Sequence, residues 1–198
     1  MQPQLLPLAA LAATVSAHGY ISSPYMRAPG NATTAACGQS IVAAIVADKT
    51  SHVEGLPELG AAAGSGYHAE SCNLWLCRGV QFADNVAHVQ KYTPGQSVNI
   101  QVALTIPHVG SANVSVVDTR TNEIVGEPLL SWPSGYADEQ AFYAGETPVN
   151  QTDFNVTIPT TLGSQCADAG ACVLQWWWYG TGAKQTYESC VDFTVAAA

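Results

Sequence analysis

Ser97-Val98-Asn99-Ile100-Gln101-Val102-Ala103-Leu104-Thr105-Ile106 alternates apolar residues with polar or small ones without a break. Successive side chains of an extended chain point to opposite sides, so Val98, Ile100, Val102, Leu104 and Ile106 share one face. The pattern predicts a strand with one face in a core and the other toward water. Outward from it, further short strands are predicted over 18–22, 112–118, 122–130, 153–158, 172–179 and 185–195, separated by Pro, Gly, Asn and Asp clusters. Short strands at such spacing predict an all-β sandwich. Residues 33–47 have helical composition and are read as one or two helical turns beside it. Residues 48–71 read as irregular, and 131–151 as a second long loop rich in Pro, Gly and aromatics. Loops of that length in a compact domain usually carry function.

The first seventeen residues carry no charged side chain, and the apolar run from Leu5 to Val15 ends in the small-residue stretch Val15-Ser16-Ala17. That is the form of a secretory signal peptide, residues 1–17, whose removal leaves His18 first and one domain over 18–198. Nothing later approaches the roughly 20 apolar residues that a membrane span needs. The chain stops at Val195-Ala-Ala-Ala, so no appended binding module or lipid-anchor tail is expected. Six cysteines, an even number in a chain addressed to an oxidising compartment, read as three disulfides. Fifteen connectivities are possible. Cys72–Cys77 and Cys166–Cys172 each close a short polar turn, which leaves Cys37 for Cys190. Four sequons, at Asn31, Asn113, Asn150 and Asn155, suit a secreted, extracellular glycoprotein. The formal charge of −9 lies wholly beyond the leader and argues against nucleic acid or an anionic membrane as partner. A neutral substrate suits it better.

An N-terminal histidine offers two nitrogens, its α-amine and Nδ1, which close a six-membered chelate ring around a metal. An internal histidine cannot do this. The second imidazole is assigned to His108, which follows the alternating strand and Pro107 and stands at a strand-to-strand corner. His52, His68 and His88 read as ordinary surface residues, with His68 the reserve ligand. Gln185 and Tyr187 lie two apart on the last predicted strand and therefore share a face. Tyr187 is placed to offer its phenol at an axial position, and Gln185 to donate a hydrogen bond to an oxygen species bound there. Alternatively, Tyr187 only caps the core. Nitrogen ligands in a planar set suit Cu(II). A blue-copper site needs a free thiolate, and a structural zinc site draws on the same cysteines, all of which are better used in pairs.

Jointly these residues resemble the histidine brace of the lytic polysaccharide monooxygenases. His18-Gly19-Tyr20, Ile106-Pro107-His108 and Gln185-Thr186-Tyr187-Glu188-Ser189-Cys190 follow that superfamily's order. Ala36-Cys37-Gly38, Ser71-Cys72-Asn73-Leu74-Trp75-Leu76-Cys77, the run from Pro107 to Val117 and Cys172-Val173-Leu174-Gln175-Trp176-Trp177-Trp178 look like the small fungal auxiliary-activity family sixteen. The resemblance implies an immunoglobulin-like antiparallel β-sandwich with one copper held by the α-amine and Nδ1 of His18 and Nε2 of His108. It further implies an external electron donor, dioxygen or hydrogen peroxide as oxidant, and hydroxylation at C1 or C4 of an insoluble polysaccharide, with cellulose favoured over chitin. A monomer is expected.

Three other classes are weighed against it. A glycosidase needs two carboxylates flanking a cleft, and among fifteen acidic residues no pair stands out. Non-catalytic copper binding and a plain carbohydrate-binding domain remain alternatives. Tyr20, Tyr25 and aromatics of the 131–151 loop such as Trp132 and Tyr136 are candidate stacking residues on a flat face around His18. The Trp176-Trp177-Trp178 run is assigned mainly to the core, since consecutive strand residues alternate faces.

Overall fold

The computed structural model describes residues 18–62 and 64–196. The leader read over 1–17 lies outside them. The strands are β1 His18–Ser23, β2 Gln90–Tyr92, β3 Ser97–Ile106, β4 Gly110–Asp118, β5 Glu123–Ile124, β6 Leu130–Tyr136, β7 Asp153–Thr157, β8 Cys172–Gly180 and β9 Gln185–Val195. The α-helices are α1 Asn31–Cys37, α2 Gln39–Ala47, α3 Leu56–Ala62 and α4 Glu139–Ala144. Two sheets form, one in the order β1-β3-β7 and one in the order β2-β9-β8-β4-β5, with β6 also on β4. Every pair is antiparallel except β2, which joins β9 in parallel. The all-β sandwich expected from strand spacing is present, with one parallel edge.

The alternation read over Ser97–Ile106 produces the core as expected. Val98, Ile100 and Val102 are buried, and with Ile21 they meet Val114, Val116, Leu174, Trp176, Trp178, Tyr187, Val191 and Phe193 of the larger sheet. Burying such side chains contributes about 1.5–3 kcal/mol each and is the main force holding the sheets together. Ile41 and Ile45 of α2, Val53, Leu56, Leu74 and Val80 form a second cluster.

Where the structure departs from expectation, the reasons are local. The strand read over 122–130 is only Glu123–Ile124, because Asn122 and Gly126 both adopt positive φ and turn the chain. Residues 131–151 are not one loop: β6 runs into them, and α4 follows, capped by Asp138, whose side chain accepts from Ala141 N at 2.9 Å. Residues 48–71 contain α3.

Two expected disulfides are corrected. Cys37 pairs with Cys72 and Cys77 with Cys190, at Cα separations of 5.2 and 5.4 Å, while Cys166 pairs with Cys172 at 5.3 Å. Cys77, Arg78 and Gly79 all take positive φ, and this turn sends Cys77 to β9 while Cys72 stays under the helices with Cys37. Gly79 is required there, since a Cβ would lie 2.8 and 2.9 Å from the Cys72 and Cys37 sulfurs. Nearby, buried Arg27 and Asp192 form a two-pronged ion pair at 2.6 and 2.8 Å.

Candidate metal centre

His18 opens β1 and pairs with Ile106, the last residue of β3. Pro107 follows and ends the ladder, since proline has no N–H to donate, and the next residue is His108. One strand pairing therefore brings the two histidines to the same end of the sandwich. His108 is held from the other sheet: a Cβ on Gly180 would stand 3.0 Å from His108 Cβ, and Thr181 N donates to Val109 O at 3.0 Å. Gly180 pairs with Gln185 across the β8–β9 ladder, so Gln185 reaches this rim as well.

Each imidazole is gripped by a carboxylate. His18 Nε2 lies 2.7 Å from Asp48 Oδ2, at the end of α2. His108 Nδ1 lies 3.1 Å from Glu139 Oε1, in the first turn of α4. Burial raises the Asp48 carboxyl, but hydrogen bonds from the Thr50 side chain and backbone, with the His18 imidazole, outweigh it and hold it below the usual range. Glu139 behaves alike: burial raises it, and hydrogen bonds from His108, its own N–H and the Val109 N–H bring it below. Neither carboxylate was singled out in the sequence, because each comes from a segment distant along the chain and no motif marks it.

Tyr187 is fully buried and stacks on Trp178 with ring centroids 4.5 Å apart. Its hydroxyl donates to Gln185 Oε1 at 2.6 Å, so the two residues expected to share a face also touch. His52, read as surface, packs edge-on to the Tyr187 ring at 6.2 Å and shares Glu54 with the Thr186 N–H. His68 sits elsewhere, with Glu70, and His88 stacks on Tyr25 at 3.7 Å.

The aromatics divide. Tyr136 is corrected: it is fully buried, donates to Gln151 O at 2.8 Å and accepts from Trp176 Nε1 at 3.1 Å. Trp132 packs on Tyr136 and Phe154, half-buried. Tyr20 lies under Lys49 Nζ at 4.1 Å. Trp176 and Trp178 are core and Trp177 is not, as alternation requires. Among the other aromatics of 131–151, Tyr143 is 73% exposed and stands one helical turn after Glu139 on α4. Residues four apart on a helix share a side.

Among the described residues, no cluster of three or more His, Cys, Asp or Glu side chains is arranged to hold a metal. Two imidazoles alone do not complete a metal site, and an α-amine at position 18 would be a donor of a different kind. Asp48 engages Nε2 of His18 and Glu139 engages Nδ1 of His108, in each ring the nitrogen that a brace does not use. Such outer carboxylates orient metal-binding imidazoles and raise their basicity. Two imidazoles together with such an amine would make an all-nitrogen set, which suits copper.

The family model described as "Lytic polysaccharide mono-oxygenase, cellulose-degrading" matches residues 18–193. No curated protein compared with the chain matches it. Among solved structures, a lytic polysaccharide monooxygenase of Jonesia denitrificans is 14% identical with a TM-score of 0.44, over 90% of this chain and 100% of that one. One from Thermobia domestica, in the Cu(I) state, is 15% identical with a TM-score of 0.45, over 91% and 100%. It is the family model, spanning most of the described chain from His18 onward, that assigns the chain, and the chain belongs to the copper-dependent lytic polysaccharide mono-oxygenases.

Proposed function

We propose that the mature chain begins at His18 and holds one copper through its α-amine and Nδ1 together with His108 Nε2, to cleave an insoluble polysaccharide oxidatively. The observation that carries this reading is the pair of carboxylates, Asp48 and Glu139, set on the complementary nitrogens of the two rings. Copper, when bound and reduced by an external donor, supplies the activation of dioxygen or hydrogen peroxide that hydroxylation of an unactivated C–H needs.

The chain's residues do the rest. Asp48 and Glu139 would keep both imidazoles oriented toward a bound ion, and Tyr187, buried against Trp178, would present its phenol to it. By accepting the Tyr187 hydroxyl at Oε1, Gln185 would be left with its amide N–H end as the donor toward the oxidant. Tyr143, beside Glu139 on the exposed surface of α4, replaces Tyr136 as the aromatic that meets a sugar ring.

Cellulose is the substrate this reading favours, on the family description, with chitin the alternative and attack at C1 or C4. The small fungal family sixteen is the subtype the sequence motifs favour. Residues 1–17 serve as the leader of a secreted, extracellular chain that acts as a monomer. Three disulfides support that compartment, and no helix among the described residues is long and apolar enough to cross a membrane.

Copper titration of protein with a native His18 terminus against protein retaining one extra N-terminal residue tests the brace. Tight binding is expected only for the first, and equal binding refutes it. Reductant-dependent release of oxidised oligosaccharides from cellulose, abolished by a chelator, tests the activity. Tight copper binding without such release would leave a copper-handling protein instead.

A further inference from the structure

The outer face of the larger sheet, opposite the one that carries Gln185 and Tyr187, holds a groove of ≈ 320 Å³ lined by Trp75, Asn113, Ile124, Gln175, Trp177 and Glu188 among others. Trp75 is 45% exposed, and its carbonyl accepts from Asn122 Nδ2 at 3.1 Å. The Trp177 indole lies nearly parallel to the Tyr179 ring, tilted by 18° with centroids 6.2 Å apart. Beneath them Gln175 is only 7% exposed, and its Nε2 has no hydrogen-bond partner. A buried donor left so carries a desolvation cost that no hydrogen bond repays. An exposed indole surface over an unpaired amide donor suits a sugar ring, whose C–H face stacks and whose oxygens accept.

A sugar source opens on the same groove. Asn113-Val114-Ser115 is a sequon, and Asn113 is the direct cross-strand partner of Trp177. Such pairs bring Cβ atoms to about 5 Å. The Ser115 hydroxyl donates to Asn113 Oδ1 at 2.9 Å, which fixes the amide by its oxygen and turns Nδ2, the atom that carries an N-glycan, away from it. The other sequon asparagines, Asn31, Asn150 and Asn155, are exposed and line no such groove.

We propose that Asn113 carries an N-linked glycan whose first N-acetylhexosamine seats between Trp75 and Trp177, where its oxygens accept from Gln175 Nε2. This rests on the reading of the chain as secreted. In the secretory compartment a polyprenyl-pyrophosphate-linked oligosaccharide is the donor. The C1–Nδ2 bond forms, the C1–O bond to pyrophosphate breaks, and one amide proton is lost, with no change of oxidation state. The seated sugar covers an aromatic surface that is otherwise open.

The test uses the chain secreted by a eukaryotic host behind a heterologous leader that ends before His18, so the native leader is judged separately. Glycopeptide mass spectrometry is expected to find Asn113 occupied. Protein trimmed to the first sugar should melt several degrees above Asn113→Gln, and this gap should vanish in a Trp177→Ala background. Should Trp177→Ala fail to fold, indole emission of the trimmed parent against Asn113→Gln gives the readout, and a difference is expected. An unmodified Asn113, an equal gap in both backgrounds, or identical emission overturns the proposal. Failure of the native leader to direct secretion would count against the secretion reading alone.

Discussion

The Tyr187 hydroxyl donates to Gln185 Oε1 at 2.6 Å, from two residues further along the same face of β9. Tyr187 is itself immobilised, fully buried and stacked on Trp178 at 4.5 Å. Removing the hydroxyl alone therefore releases the Gln185 amide without opening the core. Tyr187→Phe is expected to lower kcat about 10- to 100-fold, in the manner of outer-sphere partners, while Cu(II) affinity falls far less. Oxidised-product kinetics beside copper calorimetry check this. Equal activity of Tyr187→Phe and parent would remove Gln185 orientation from the mechanism.

Asp48 and Glu139 approach the two imidazoles from α2 and α4 respectively. Replacing either with alanine lets a ring turn and weakens its nitrogen as a ligand. Asp48→Ala and Glu139→Ala are each expected to reduce copper affinity about 10- to 100-fold, and to change the Cu(II) electron paramagnetic resonance spectrum. Spectra and affinities indistinguishable from the parent would show that the carboxylates do not position the ligands.

Gly180 leaves the space into which the His108 Cβ fits, since a Cβ there would stand 3.0 Å from it. Its backbone is outside the left-handed region, so alanine is tolerated by the chain and not by the neighbour. Gly180→Ala is expected to weaken copper binding while the melting temperature of the metal-free protein moves little. A large loss of stability with unchanged affinity would contradict this.

The elements legible in the sequence are those with one buried face and clear breakers. Ser97–Ile106 and Gln185–Val195 have the bounds expected, and β8 differs by one residue. The three-residue β2 was missed because so short a run shows no period, and its parallel pairing to β9 is made by the fold. The choice of disulfide partners was illegible for a similar reason: a positive-φ turn at Cys77 sends two cysteines five apart to different layers. Tyr136 reads as a stacking residue in a loop rich in Pro, Gly and aromatics, yet it ends β6 and is held in the core by hydrogen bonds with Gln151 and Trp176. His18, His108, Gln185 and Tyr187, the residues proposed for the metal site, are those that chemistry and order single out in the sequence. Asp48, Glu139 and Tyr143 required tertiary structure, since each owes its place to an element packed against the strand ends.

Cys77–Cys190 closes a loop of 113 residues and ties the outer helical layer to β9. Long loops gain most from such a link in the chain-entropy account, and loss of a native disulfide typically costs 2–5 kcal/mol. Cys77→Ala with Cys190→Ala is expected to destabilise more than removal of Cys166–Cys172, whose separation is 6. Denaturant midpoints of the two double variants decide it, and the reverse order would refute the assignment of roles.

Asp84 replaces the side-chain cap that α1 lacks. The N-cap residue is Gly30, and the Asp84 carboxylate instead accepts from Gly30 N, Ala32 N, Thr33 N and the Thr33 hydroxyl at 2.6–2.9 Å. Burial alone would raise the carboxyl, but the Thr33 hydroxyl and the three backbone donors outweigh it and hold it below its ordinary 3.8. A carboxylate depressed in the folded state binds fewer protons there than in the unfolded chain, so its stabilisation is complete above the ordinary value and is lost as pH falls through the folded one. Asp84→Asn keeps an acceptor and removes the charge. Its melting temperature is expected to lie below that of the parent at neutral pH by the equivalent of about 1 kcal/mol, a typical cap contribution. The gap should narrow as pH falls below 3.8 and close once it has passed the lowered folded value, where the parent carboxylate is itself neutralised. Parallel melting curves from neutral pH into this acid range, with a constant gap, would show that the charge of Asp84 does not stabilise the start of α1.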